Sequence, residues 1–289
     1  MKSSRQPDIL WTIGIPERIR RNVMATFQVN FMARTLWRNV PMNVYLPTDK
    51  FDFPNMAERE EKLYKTLYLL HGITDNYMDW IYKTRILRWA EEHDLAVVMP
   101  SGDNMFYVDQ PWSSNMYGEF IGKELVGFTR KNFPLSHKKE DTYIGGLSMG
   151  GYGALRNGLK YHDTFGGIIA LSSALIVNET LLQKTEDPRF PKEAEENKRA
   201  WFGPDLKAAI ESDKNPKVTI RKLLEEKKEL PLIYMACGTE DSLFGVNQDF
   251  SDFLKEHGIA HTFETGSGGH EWDFWDTYIK RALEWLPLE

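Results

Sequence analysis

The stretch Tyr143-Ile144-Gly145-Gly146-Leu147-Ser148-Met149-Gly150-Gly151-Tyr152-Gly153 constrains this chain more than any other. An apolar run enters it, a helix-forming segment leaves it, and glycines crowd the join. In that setting Gly146-x-Ser148-x-Gly150 reads as a sharp strand-to-helix turn that holds a serine at strained backbone angles with its hydroxyl exposed. Positions beside such a turn must be nearly free of side chain so that strand and helix can approach. The amide after the serine, that of Met149, then opens a helix and points toward a place where negative charge could gather. A Gly-rich turn around a capping serine would look the same over five residues, because short motifs match by chance. The rest of the chain has to decide between the two.

Around that turn the pattern alternates between strands and helices. Thr26 to Phe31 alternates with period two, and Met42 to Leu46 follows and stops at Pro47, which predicts two antiparallel strands. Apolar runs at 67–70, 95–99, 141–145, 167–171, 232–236 and 260–264 read as further strands, of the kind buried in a parallel sheet. Helices are predicted around 84–92, 119–132, 149–160, 247–257 (closed by Gly258) and 273–285. Such alternation argues for an α/β protein, a mostly parallel eight-stranded sheet with helices on both faces. Residues 174–230, after the sixth strand, are highly charged and punctuated by Pro188, Pro191, Pro204 and Pro216. They predict a helical insertion over the sheet, a lid or an elaborated crossover. Residues 1–23 form a polar, Arg-rich extension ahead of one domain spanning 24–289.

Composition removes several classes of function. The 36 basic and 42 acidic side chains give a net charge of −6, which offers no footprint for nucleic acid or an anionic membrane. No window of 18 apolar residues exists, and Met1 to Ile15 lacks an apolar core with a small-residue cleavage site. Cys237 is the single cysteine, so no intramolecular disulfide can form and a reducing, cytoplasmic compartment is expected. Its apolar run, 232–237, predicts a buried inert thiol. No metal-ligand cluster or phosphate loop is visible, so neither metal nor cofactor is expected.

A serine hydroxyl needs a base, and the base needs an orienting acid. Behind an elbow of this kind the acid and then the base follow the serine in the chain, each on a loop after a later strand. Gly238-Thr239-Glu240-Asp241-Ser242-Leu243 follows the strand at 232–236, and Gly266-Ser267-Gly268-Gly269-His270-Glu271-Trp272 follows the one at 260–264. Of the seven histidines, His270 fits the base; His71 lies at a strand end but upstream of Ser148, and the others lie in or beside polar helices and turns or begin a strand. Glu240 and Asp241 are adjacent and hard to separate by pattern, although the Gly-x-x-Asp-x-Leu form favours Asp241. The second amide of an oxyanion hole should come from the loop after the third strand, His71-Gly72-Ile73-Thr74-Asp75, with Ile73 N–H the natural donor beside Met149 N–H. Aromatic residues near these loops, Trp80, Tyr107, Trp112 and Trp272, are candidates for binding substrate.

Leu69-Leu70-His71-Gly72, Gly146-Leu147-Ser148-Met149-Gly150-Gly151, Gly238-Thr239-Glu240-Asp241 and Gly269-His270-Glu271-Trp272 together resemble the esterase D-like branch of the α/β-hydrolases. That branch includes tributyrin esterases, S-formylglutathione hydrolases, and feruloyl and acetyl-xylan esterases. The opening Phe27 to Phe31 with Val40 to Pro47 is similar to the first hairpin of bacterial tributyrin esterases. The resemblance implies an α/β-hydrolase fold from about Met24 onward and a cofactor-free serine carboxylesterase with Ser148, His270 and Asp241 in the nucleophile, base and acid roles. It implies a short-chain or aromatic acyl ester as substrate, including feruloyl or acetyl esters of plant-wall oligosaccharides, and leaves homo-oligomers open. Acyl transfer by the same triad, as in the related mycolyltransferases, is the alternative, with S-formylglutathione thioester hydrolysis beside it. Against the latter, those hydrolases carry a Cys-containing loop where this chain has Ile73-Thr74-Asp75-Asn76.

Overall fold

A computed structural model describes residues 25–48, 62–183 and 193–288. The expected extension at 1–23 lies outside the described residues, as do parts of the charged stretches at 48–62 and 174–230. β1 (Ala25–Ala33) and β2 (Arg38–Leu46) form an antiparallel hairpin, followed by β3 (Thr66–Leu70) and β4 (Ala96–Pro100). A two-residue ribbon, β5 (Asp109–Gln110) with β6 (Asn115–Met116), lies within the 101–117 loop. β7 (Thr142–Leu147), β8 (Gly167–Leu171), β9 (Leu232–Gly238) and β10 (Thr262–Gly266) complete the strands.

The main sheet has eight strands in the order β1-β2-β4-β3-β7-β8-β9-β10. Its first two pairings, β1 with β2 and β2 with β4, are antiparallel, and every later one is parallel. This is the predicted mostly parallel eight-stranded sheet. Leu70 pairs with Gly146, Leu147 with Leu171, Leu171 with Ala236, and Gly238 with Gly266. The carboxyl ends of five parallel strands therefore lie side by side, where sites of open α/β sheets form.

The α-helices among the described residues are α1 (Asp79–Lys83), α2 (Ile86–Glu92), α3 (Tyr117–Glu119), α4 (Leu125–Asn132), α5 (Met149–Lys160), α6 (Glu193–Phe202), α7 (Leu206–Ile210), α8 (Pro216–Glu225), α9 (Phe244–Glu256) and α10 (Trp272–Trp285). Side chains alternate across a strand, so Tyr68 and Leu70 join one apolar layer while Leu67 and Leu69 join the other. The first layer packs α4, α5, α8 and α9; the second packs α2 and α10. Among the described residues no helix is long and apolar enough to cross a membrane.

Two predicted elements differ in detail. The helix expected around 84–92 is α2, which begins at Ile86, and Thr84, whose extended backbone ends α1, separates it from that preceding short helix, which the sequence pattern does not predict. The Thr84 hydroxyl donates to Trp80 O at 2.5 Å and accepts Ile86 N–H at 3.2 Å, serving both helix ends. The last strand begins at Thr262 rather than 260, because His261 is occupied by its entry turn. Its Nδ1 meets Ile259 O at 2.9 Å and its Nε2 meets Ser251 Oγ at 2.8 Å.

Candidate active site

Ser148 stands between β7 and α5 with φ 54° and ψ −117°, a conformation that costs about 1–3 kcal/mol and persists only where surroundings impose it. Those surroundings are close backbone crossings. A β-carbon on Gly146 would lie 2.6 Å from Gly150 O and 2.7 Å from Leu70 O, and one on Gly150 would lie 2.7 Å from His71 O. No side chain fits at either position. Ser148 N–H donates to Leu171 O at 2.9 Å, and Ser148 O accepts the amides of Tyr152 and Ala174. The serine is thereby tied to β8 as well as to its own helix.

His270 and Asp241 meet Ser148 in one hydrogen-bonded series. His270 Nε2 lies 2.9 Å from Ser148 Oγ, and His270 Nδ1 lies 2.8 Å from Asp241 Oδ2. The two loops that bring them are stitched together by Thr239 N–H to Gly266 O at 2.9 Å and Glu240 N–H to Gly268 O at 3.2 Å. Glu240 and Asp241 then separate by direction. Glu240 Oε2 accepts Gly268 N–H at 2.5 Å, whereas the Asp241 side chain is wholly buried against the imidazole. Asp241 Oδ1 also accepts Leu243 N–H at 2.8 Å. Burial alone would raise the Asp241 pKa, but hydrogen bonds from His270, the Leu243 amide and the Ser172 hydroxyl bring it below the usual carboxylate range. The carboxylate is held ionised, as an acid that orients an imidazole must be.

The turn after β3 lies against the serine. A β-carbon on Gly72 would sit 3.7 Å from Ser148 Cβ, so the Gly72–Ile73 peptide borders the nucleophile, while Met149 is the first residue of α5. The amides of Ile73 and Met149 thus come from the two elements that flank Ser148. His71 holds the turn from inside. Its Nε2 accepts Gly102 N–H at 2.8 Å, which makes Nδ1 the protonated nitrogen and lets it donate to Gly72 O at 2.7 Å. Burial pulls the His71 pKa below its ordinary value, consistent with a neutral ring.

The aromatic candidates divide. Trp80 is 1% exposed and its indole N–H donates to Leu70 O; Tyr107 is fully buried and its hydroxyl donates to His71 O at 3.0 Å. Neither presents a surface to a ligand: both brace the β3 turn from beneath, which corrects their reading as substrate contacts. Trp272, at the start of α10, is half-buried against Trp80 and Trp275, and Trp112 is 47% exposed on the 101–117 loop beside Gly203. Cys237 is buried, and burial together with the Asp241 charge pushes its thiol up to about 12, which leaves it inert.

Ser172 and Trp275 are site residues that the sequence reading passed over. Ser172 follows β8 directly, with φ 44° and no exposed surface, and its Oγ accepts the Trp275 indole N–H at 3.0 Å. Its own proton is then available to Asp241. The Trp275 ring also stands edge-on to His270, with centroids 4.9 Å apart. Position was the available signal, since Ser172 occupies at the end of β8 the place that Ser148 occupies at the end of β7.

Comparison with known proteins agrees with this fold. The Esterase family model, described as "Putative esterase", matches residues 33–286. An acetyl esterase of Caldicellulosiruptor saccharolyticus is 46% identical over 263 residues, covering 91% of this chain and 98% of that protein. Two Staphylococcus aureus structures share the fold with TM-scores of 0.78: an S-formylglutathione hydrolase, 30% identical, and fluorophosphonate-binding serine hydrolase F, 31% identical. Each match covers 93% of this chain and the whole of the other. The chain belongs to the Esterase family and is a carboxylic ester hydrolase of the α/β-hydrolase fold.

Proposed function

We propose that this hydrolase is a serine carboxylesterase for short-chain acyl esters, acetyl esters foremost, with Ser148 as nucleophile, His270 as general base and acid, and Asp241 as the orienting carboxylate. The observation that carries the reading is the series Oγ–Nε2 at 2.9 Å and Nδ1–Oδ2 at 2.8 Å, behind a serine held at positive φ. The acetyl esterase relative supports the choice of acyl group.

In the first half-reaction Ser148 Oγ attacks the ester carbonyl while its proton passes to His270 Nε2. The carbonyl π pair moves onto oxygen, where the Ile73 and Met149 amides receive it. Collapse of that intermediate breaks the bond to the alkoxy oxygen, which takes the proton back from Nε2 and leaves as alcohol. Water then repeats the sequence on the acyl-serine, releasing the acid and restoring the hydroxyl. Throughout, Asp241 holds Nδ1–H and stabilises the imidazolium without taking its proton.

The test is a panel of p-nitrophenyl acetate, butyrate and octanoate, methyl ferulate and S-formylglutathione, run on the native enzyme and on Ser148→Ala. The alanine variant is expected to lose about 10⁴-fold or more in kcat while keeping a native circular dichroism spectrum. Acetate and butyrate are expected to lead, with a graded fall toward octanoate, because each methylene discriminates by only ~1–3 kcal/mol. A marked preference for octanoate or for the thioester would overturn the substrate reading, and an active Ser148→Ala would overturn the mechanism.

A further inference from the structure

The turn that carries Ile73 also brings a carboxylate close to Ser148. Asp75 Oδ2 lies 3.0 Å from the point a β-carbon on Gly72 would occupy, the same point that lies 3.7 Å from Ser148 Cβ. An ionised group there opposes the oxyanion, and the Asp75 side chain is only 13% exposed, so water screens it poorly. Lys83, the last residue of α1, meets it. Its Nζ lies 3.0 Å from Asp75 Oδ1 and 2.6 Å from Asp79 Oδ1. Asp79, the first residue of α1, in turn accepts Asn76 N–H at 2.7 Å, so the loop after the turn is fastened to the start of the helix that ends at Lys83. The same ammonium sits 4.8 Å from the centroid of the Trp272 ring, two residues beyond His270. Burial works against the charge on Lys83, but Asp79 and Asp75 outweigh it and raise its pKa, so it stays protonated.

We propose that Lys83 is a positioning residue of this esterase: it cancels the field of Asp75 beside the oxyanion turn and ties that turn to the His270 loop through Trp272. The role rests on the reading of Ser148 as nucleophile and of the Ile73 and Met149 amides as oxyanion donors. It is distinct from packing, because its main effect is felt only when charge develops in the transition state.

Steady-state kinetics on p-nitrophenyl acetate for Lys83→Met, Lys83→Arg and the double variant Asp75→Asn/Lys83→Met separate charge from contact. Lys83→Met is expected to lower kcat about tenfold with KM unchanged within about twofold, the pattern of a lost transition-state interaction. Lys83→Arg, which keeps charge and stacking, is expected to retain most of kcat, and the double variant to regain most of what Lys83→Met lost. Lys83→Gln carries the same expectations where the methionine variant melts early. Wild-type kcat in Lys83→Met and Lys83→Gln overturns the proposal, and so does a double variant as slow as Lys83→Met, which would make the role mechanical. A dead Ser148→Ala beside an unimpaired Lys83→Met overturns the role of Lys83 alone; an active Ser148→Ala removes the foundation and the proposal with it.

Discussion

Two sets of loops meet above the parallel strands, and they are held in different ways. The loops after β7, β9 and β10 carry Ser148, Asp241 and His270, and backbone crossings and amide hydrogen bonds hold them. The 101–117 loop and the helices that follow β8 are held by side chains from distant parts of the chain. Phe106 packs against Tyr152, Trp201 and Phe202, and Gln110 donates to Trp201 O at 3.1 Å. Beneath them Arg156 of α5 lies buried between Asp109 at 3.3 Å and Asp213 at 2.7 Å, with Lys160 reaching both carboxylates. The residues proposed for catalysis sit on the backbone-held side, and the side built from aromatic and charged contacts frames them. A local steric rule can fix where a nucleophile stands; it cannot say which aromatic ring will be covered.

The largest expected effect is on the backbone-held side. Asp241→Asn should lower kcat by about 10⁴-fold near neutral pH, because the imidazole loses the partner that fixes its tautomer. Glu240→Gln, which only weakens the clasp on Gly268, should cost at most about tenfold in kcat. Matched kinetics on the two variants check this, and a reversal of the two magnitudes would move the acid to Glu240.

On the contact-held side the expected loss is in stability. Arg156→Met leaves Asp109 and Asp213 with Lys160 as their shared cation and should cost ~1–3 kcal/mol in denaturant unfolding. The pH dependence follows from the same groups. Burial would raise the pKa of Asp109, but Arg156, the Glu119 amide and Lys160 bring it below the ordinary carboxylate range, and Arg156 and Lys160 do the same for Asp213. A carboxylate with a depressed folded pKa adds stability above its unfolded pKa and loses it as pH falls through the folded value. Stability should therefore fall below about pH 5, and less steeply in Asp213→Asn. An equal slope in both proteins would deny the network that part.

The smallest effects sharpen the division among aromatics. Tyr107→Phe removes a buried hydrogen bond to His71 O and should cost ~1 kcal/mol of stability. Trp112→Ala should leave stability within about 0.5 kcal/mol, as exposed positions do, and shift KM at most a few-fold. Thermal melts with KM on one ester distinguish the two; a large KM change in Tyr107→Phe would return that ring to the substrate.

What was legible in the chain follows the same division. The glycine-walled turn, the alternation of strands and helices and the Ser–Asp–His succession could be read because each obeys a short-range demand: glycine where Leu70 O approaches, a strand before each loop, an acid and a base on successive loops. The choice between Glu240 and Asp241 waited on the direction each side chain takes from the β9 turn. The burial of Trp80 and Tyr107 and the parts of Ser172, Arg156 and Lys83 depend on partners far away in sequence. Lys83 meets Trp272 across about two-thirds of the chain, and no spacing rule announces such a pair.

The most direct test of the central claim is to react the native enzyme with a fluorophosphonate, follow residual hydrolysis of p-nitrophenyl acetate, and map the adduct by mass spectrometry of the digested protein. One adduct on Ser148, growing in step with the loss of activity and absent from Ser148→Ala, is the expected result. Complete modification of Ser148 with activity intact, or inactivation by an adduct on another residue, would contradict it.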